Sequence, residues 1–164
     1  MKKLALIFLI ILFGVTSTNI YGQDMPQRTQ TVYFPSFYHL IHDPGTVSLG
    51  IGYEHMIANS FAIGGEFFVL SNFSDNVSLY SIGNFKYYPI KTKVGNMYAD
   101  IGLGYRQNRT KDDIFHSFIG LAHIGWKFIF KSGFVIEPGI GIGFYGNENY
   151  RPDMVSRLVF GWAI

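Results

Sequence analysis

A β-hairpin is predicted by residues 127–144, KFIFKSGFVIEPGIGIGF, and this hairpin decides the fold. Its loop is Lys-Ser-Gly, residues 131–133, because a glycine at the third position can take the conformation that a three-residue turn requires. Folding the strands about this loop opposes two pairs of residues, Phe128 with Ile136 and Lys127 with Glu137. We expect the second pair to form a direct cross-strand ion pair, since opposed residues have Cβ atoms about 4.5–5.5 Å apart.

The two faces of this hairpin differ in size and polarity. Side chains alternate between faces along a strand, so one face carries the large apolar residues: Trp126, Phe128, Phe130, Phe134, Ile136, Ile140, Ile142 and Phe144. The other face carries the charge pair and glycines 125, 139, 141 and 143. Glycine suits a solvated face poorly, because it weakens strands and usually marks a bend or a close approach. In a small membrane barrel the apolar face contacts lipid and the polar face shares a narrow lumen. The pattern therefore favours a membrane barrel over a soluble sheet.

The amino terminus has the pattern of a secretory signal peptide, residues 1–22. Lys2 and Lys3 precede an apolar stretch of 12 residues, 4–15, which is too short to be a transmembrane helix. We expect cleavage after Gly22, a flexible lead-in at 23–30 and a barrel at 31–164. An uncleaved N-terminal anchor is the alternative.

The composition excludes several classes of protein. Lys2 and Lys3 supply two of the 13 basic residues, so the remainder balances the 11 acidic residues and no nucleic-acid partner is expected. The chain has no cysteine, so it has no disulfide framework although export is predicted. After the signal peptide, no apolar run reaches the roughly 18 residues of a spanning helix. A β-barrel remains as a route into a membrane, because backbone groups in lipid must be paired within the protein.

Eight strands joined by short connections are predicted along the mature chain. Their ranges are 31–40, 46–57, 61–70, 77–88, 97–107, 114–130, 134–145 and 155–164. The first strand is the weakest, because Pro35 cannot donate to a ladder, and residues 89–96 are read as a connection. An even-stranded meander with strands of about 10 residues matches a transmembrane barrel. The predicted fold is an all-β, eight-stranded, antiparallel, up-and-down transmembrane barrel with a charged, glycine-rich, plugged lumen.

Charged residues within these strands share the face opposite the large apolar residues. They are Glu54, Glu66, Lys86, Asp100, Arg106, Lys127, Glu137 and Arg157. Ten of the 19 glycines lie on the same face, and an eight-stranded barrel is only wide enough for its side chains to fill it. We expect these charges to form a paired lumen network, since isolated buried charges are costly. Arg157 is the candidate partner for the carboxylates of Glu54 and Glu66.

Histidines do not form a metal site or a catalytic constellation in this sequence. The five are His39, His42, His55, His116 and His123, and none has the spacing of a metal-ligand motif. His123 lies on the lumen face, opposite Gly141 in the hairpin. A lipid-modifying enzyme would need a nucleophile, a base and an orienting acid, and no serine follows these histidines at the required spacing. We predict no catalytic residue, no metal and no cofactor.

The chain resembles small eight-stranded outer-membrane barrels of the OmpA and OmpX type, especially the outer-membrane barrel proteins of Bacteroidetes. The resemblance rests on GTVSLGIGYE at 45–54, WKF at 126–128, EPGIGIG at 137–143 and the alternating final strand. It implies a non-enzymatic, monomeric protein of a Gram-negative outer membrane. We expect both termini in the periplasm, because an even-stranded meander puts them on one side and the turns at that end, 58–60 and 131–133, are short. The resemblance also implies contact with lipid and lipopolysaccharide, delivery by the outer-membrane assembly machinery, and a structural or surface-interaction role through extracellular loops. A narrow pore, a soluble ligand-binding barrel and a lipid-modifying enzyme remain the alternative functions.

Overall fold

The computed structural model describes residues 29–40, 47–71, 77–92, 95–110, 113–146 and 152–164. Within them lie eight strands: β1 (Gln30–Leu40), β2 (Val47–Ala58), β3 (Phe61–Ser71), β4 (Val77–Lys91), β5 (Asn96–Arg109), β6 (Ile114–Ile129), β7 (Phe134–Tyr145) and β8 (Pro152–Ala163). The predicted signal peptide and all but the end of the predicted lead-in lie outside the described residues. Gln30, the last residue of the predicted lead-in, is the first residue of β1. No helix among the described residues is long and apolar enough to cross a membrane.

Each strand pairs antiparallel with the next, and β1 pairs with β8, so the sheet closes into a barrel. This confirms the predicted all-β, eight-stranded antiparallel barrel. The barrel has two ends, which differ in the connections that they carry. The terminal end holds the start of β1, the end of β8 and the β2–β3, β4–β5 and β6–β7 connections, and the loop end holds the other four connections.

The register of the β6–β7 hairpin agrees with the sequence pattern. Phe128 pairs with Ile136, and the Phe130 amide donates to the Phe134 carbonyl at 2.8 Å. Gly133 has a φ of 92°, a left-handed conformation that glycine adopts without the steric cost of a Cβ. The glycine therefore allows the tight connection that sets this register.

Two proline-containing stretches depart from the predicted boundaries. In β1 the register shifts between Tyr33 and Ser36, on either side of Pro35, so an irregularity accommodates the missing N–H and the strand continues. In β4 a similar shift lies between Tyr87 and Ile90. The prediction of residues 89–96 as a connection is wrong, because β4 runs to Lys91 and β5 begins at Asn96.

The apolar and charged faces lie on opposite sides of the barrel wall. Large apolar side chains are exposed on the outside, including Leu103 and Phe118, which are 77% and 79% exposed. Charged side chains from seven strands are buried inside, and those of Lys86 and Glu137 are 1% and 0% exposed. The structure thus confirms a closed barrel with buried charges in its lumen.

Apolar side chains also occupy the lumen. Toward the loop end lies a cluster of Tyr38, Phe68, Leu70, Tyr80, Ile82, Ile119, Leu121 and Val155, here called the loop-side cluster. Two smaller clusters lie among the charges: Tyr33, Val135, Val159 and Ala163, and Ala62, Tyr88 and Tyr98. Ala62 is the cross-strand neighbour of Lys86, and Val159 is that of Glu137. The charges therefore share the lumen with apolar side chains, which the sequence patterning did not predict.

Candidate functional site

Six of the eight predicted lumen charges form one chain in which cations and anions alternate. In order, the chain runs Lys127, Glu54, Lys86, Glu137, Arg157, Glu66. Each comes from a different strand, and Tyr33 of β1 and Tyr98 of β5 also bond to it. All eight strands therefore contribute a side chain to this charge chain.

The first half of the charge chain is built around Glu54. Lys127 Nζ lies 2.6 Å from Glu54 Oε1, and Lys86 Nζ lies 2.8 Å from Glu54 Oε2. Lys127 also donates to Thr31 Oγ1 at 2.9 Å. Tyr88 donates its hydroxyl hydrogen to Glu54 at 2.8 Å, and the Tyr33 hydroxyl, 2.8 Å from Glu54 and 3.0 Å from Glu137, shares its single hydrogen between the two carboxylates. Both carboxylate oxygens thus receive charge-assisted hydrogen bonds, which are stronger than neutral ones.

The second half is built around Glu137 and Arg157. Glu137 accepts from Lys86 Nζ at 2.7 Å, from Arg157 Nη1, and from the Tyr33 hydroxyl at 3.0 Å. Arg157 Nη2 lies 2.5 Å from Glu66 Oε1. Arg157 therefore bridges two carboxylates, as its forked guanidinium permits.

The expected direct ion pair between Lys127 and Glu137 is wrong. The hairpin register opposes their positions, but Lys127 extends to Glu54 and Glu137 receives Lys86 and Arg157. A lysine side chain is long enough to cross a lumen this narrow, so proximity of Cβ atoms does not determine its partner. The candidate pairing of Arg157 with the β2–β3 carboxylates holds for Glu66, whereas Glu54 takes the two lysines instead.

Buried tyrosines surround the charge chain with hydroxyls and rings. Tyr38 donates to Glu66 at 2.6 Å and accepts from Arg157 Nε at 2.9 Å. Lys86 Nζ lies 4.5 Å from the Tyr98 ring centroid, within the range of a cation–π interaction. These tyrosines share the inward parity of the charges, which is the signal that would have identified them in the sequence.

Two of the lumen glycines make room for Tyr98. A Cβ at Gly139 would collide with the Tyr98 hydroxyl, and a Cβ at Gly125 would meet that hydroxyl and Cζ. Tyr98 in turn accepts a hydrogen bond from Arg157 Nη1 at 3.3 Å. The glycine-rich side of the hairpin therefore permits a large side chain to reach the charge chain.

Asp100 does not join the alternating chain. It pairs with His123, its cross-strand neighbour, with 2.8 Å between Oδ1 and Nδ1. His123 also opposes Gly141, as predicted, and both side chains of the pair are buried. His123 Nε2 has no hydrogen-bond partner among the described residues. The β5–β6 connection, residues 110–113, contains no glycine that would have marked a tight turn in the sequence, so the register needed to foresee this pair was not predicted.

Arg106 lies apart from the other predicted charges, toward the loop end. Its guanidinium lies 5.6 Å from the Tyr80 ring centroid and 5.5 Å from that of Tyr145. Nη2 donates to Ser78 Oγ at 3.2 Å. Tyr80 belongs to the loop-side cluster, so Arg106 lies beside that cluster and outside the six-residue charge chain.

The described lumen has the geometry of a closed plug. The six charges of the charge chain are paired, and the loop-side cluster lies between them and the loop end. The loop-side cluster includes a stack in which Phe68 lies 4.3 Å from Tyr38 and 4.5 Å from Tyr80 between ring centroids. Among the described residues no group of three or more His, Cys, Asp or Glu could hold a metal ion. His42 lies outside them, whereas His39 and His116 are exposed and His116 contacts Tyr105.

Comparison with known proteins supports the fold. No protein-family model and no curated protein sequence matches the chain. The N-terminal β-barrel domain of Pseudomonas aeruginosa OprF superposes with a TM-score of 0.62 at 13% identity, covering 84% of this chain and 98% of that one. Neisserial surface protein A (NspA) gives a TM-score of 0.59 at 12% identity, covering 81% and 92%. The chain is thus structurally similar to small eight-stranded outer-membrane β-barrels.

Proposed function

We propose that this chain is an integral outer-membrane barrel with a closed lumen and no enzymatic activity. In this proposal the charge chain has a structural role, and the extracellular loops carry a surface-interaction role. The protein would act as a monomer in contact with lipid and lipopolysaccharide, after delivery by the outer-membrane assembly machinery.

The inverted polarity of the barrel wall carries this proposal. A soluble protein rarely exposes a contiguous apolar patch larger than a few hundred Å². Here large apolar side chains are exposed on the outer face of every strand, while four of the five strand carboxylates and three of the six strand lysine and arginine side chains are buried. An outer surface of apolar side chains is stable in contact with hydrocarbon. The barrel also meets the second requirement of a membrane interior, because its strands pair their backbone groups with one another and leave no open edge.

Tryptophan quenching by brominated lipid tests the membrane location. Trp162 is 55% exposed on the outer face of β8, and Trp126 is half-buried on the outer face of β6. In vesicles with brominated acyl chains, both the natural chain and a Trp126→Phe variant should lose fluorescence. A chain that folds without vesicles and is not quenched by them would instead be a soluble barrel.

The enclosed charge chain argues against a pore. Water or an ion crossing the lumen would have to separate paired charges and displace the loop-side cluster. We expect no conductance above background in planar bilayers. Reproducible single-channel steps would support a narrow pore.

Orientation follows from the lengths of the connections. The connections at the terminal end have two to four residues, and those at the loop end have four to six. In outer-membrane barrels the periplasmic turns are the shorter set, so we place both termini in the periplasm. An epitope inserted at 110–113 should bind antibody on intact cells, and an inaccessible epitope there would reverse the orientation.

A further inference from the structure

A groove crosses the outer wall of the barrel on β5, β6, β7, β8 and β1, with a volume of about 830 Å³. Two rows of paired residues define it. One row joins Pro138, Leu158 and Phe37, and the other joins Ile140, Ser156 and His39. Volumes of 300–1,000 Å³ are typical of sites that bind small molecules.

The groove exists because short side chains lie between long ones. Pro138 and Ser156 are half-buried and point outward, and larger side chains flank them on neighbouring strands, including Trp126, Leu158 and Ile140. Apart from the indole N–H of Trp126, the polar side-chain groups among the outward-pointing residues that line the groove are those of Ser156 and His39, and these two are cross-strand partners. The groove is therefore apolar along its length and polar at one end.

We propose that this groove binds one acyl chain of a membrane lipid. The inference rests on the proposed membrane location, because the groove is continuous with the wall that hydrocarbon would cover. Apolar concavities do not hold water well, and an unfilled one forfeits contacts for the atoms that line it. An acyl chain satisfies both conditions.

The polar end of the groove indicates how the lipid is oriented. His39 lies next to the last residue of β1, at the loop end of the barrel. A hydroxyl and an imidazole can donate hydrogen bonds to ester or phosphate oxygens. The head group would therefore lie beside His39 at the rim, and the acyl chain would run inward past Ser156 toward Pro138 and Trp126.

Lipid retention measured by native mass spectrometry tests this site. The natural chain is inserted into vesicles of phosphatidylethanolamine and phosphatidylglycerol, extracted in detergent and washed. We expect one phospholipid to remain bound. Ser156→Phe should fill the groove and lower the retained fraction about tenfold, equivalent to about 1.4 kcal/mol. Ser81→Phe is the matched control, because Ser81 is exposed on β4, across the barrel from β8, and should leave retention unchanged.

The outcomes separate this inference from the proposed function. If the natural chain is quenched by brominated lipid but retains no phospholipid, or if Ser156→Phe and Ser81→Phe retain it equally, the groove inference is overturned and the membrane location stands. If the natural chain elutes as a dimer and Ser156→Phe as a monomer, a second copy occupies the groove, and the inference is also overturned. Ser156→Leu gives a smaller filling side chain if the phenylalanine variant does not fold, and the same loss of retention is expected. Absence of quenching in the natural chain refutes the membrane location itself.

Discussion

Glu54→Gln should destabilise the barrel more than Lys127→Met, although the two side chains are partners. Lys127 has one carboxylate partner, Glu54, and one hydroxyl partner, Thr31. Glu54 has two lysines and two tyrosine hydroxyls. Removing Glu54 therefore leaves Lys127 buried without a carboxylate, whereas removing Lys127 leaves Glu54 still bonded to Lys86 and both tyrosines.

The magnitudes follow from these partners. Breaking a buried pair so that a charge is left uncompensated costs about 3–5 kcal/mol, which we expect for Glu54→Gln. Loss of one hydrogen bond to a group that stays bonded costs about 1.5–3 kcal/mol, which we expect for Lys127→Met. Because the two residues interact directly, the double variant should lose less than the sum, by about 1–3 kcal/mol.

Denaturant unfolding in detergent measures these free energies. Lys91→Met is the control, because Lys91 is exposed at the end of β4 and its loss should change stability by no more than about 0.5 kcal/mol. The Lys127→Met, Glu54→Gln and double variants form a first double-mutant cycle, and a second cycle combines Lys127→Met with Glu137→Gln. A larger coupling in the second cycle than in the first would restore the direct hairpin pair and refute the partners assigned here. Additive losses in the first cycle would show that Lys127 and Glu54 do not interact.

Three further changes probe the packing of the lumen by the same unfolding measurement. Gly139→Ala should lower the free energy of unfolding by about 1–3 kcal/mol through overpacking. Adding Tyr98→Phe should recover part of that loss, because the hydroxyl that collides with the new Cβ is removed. If nothing is recovered, the strain does not come from Tyr98. Phe68→Ala should lower the free energy of unfolding by about 3–5 kcal/mol. It should produce no conductance in planar bilayers, since the charge chain still closes the lumen. Conductance in this variant would mean that the loop-side cluster closes the lumen instead. His123→Gln should lower the free energy of unfolding by at most about 1.5 kcal/mol, since the new amide can still donate to Asp100. His123→Leu should lower it by about 1–3 kcal/mol or more, because it leaves a buried carboxylate unpaired. Equal effects would mean that the hydrogen bond to Asp100 contributes nothing.

Strand alternation is encoded locally, and for that reason the sequence alone determined the architecture. Each strand shows a period of two, which separates Lys86 from Phe85 and Arg157 from Leu158 whatever the rest of the chain does. The apolar face then has to lie outside, because a barrel of eight strands has no room for it inside. The tight loop ending in Gly133 added one register, that of the β6–β7 hairpin.

Tertiary structure decided which charges meet. Closure of β1 on β8 brings distant strands to face one another across the lumen, and long side chains then choose partners by reach. That is why Lys127 bonds to Glu54, 73 positions away in the chain, although Glu137 lies opposite it on the neighbouring strand. The same closure separates Arg106 from the other charges by the loop-side cluster. Local periodicity specifies the face on which a side chain lies, but the tilt and closure of the whole barrel specify its height and its neighbours across the lumen.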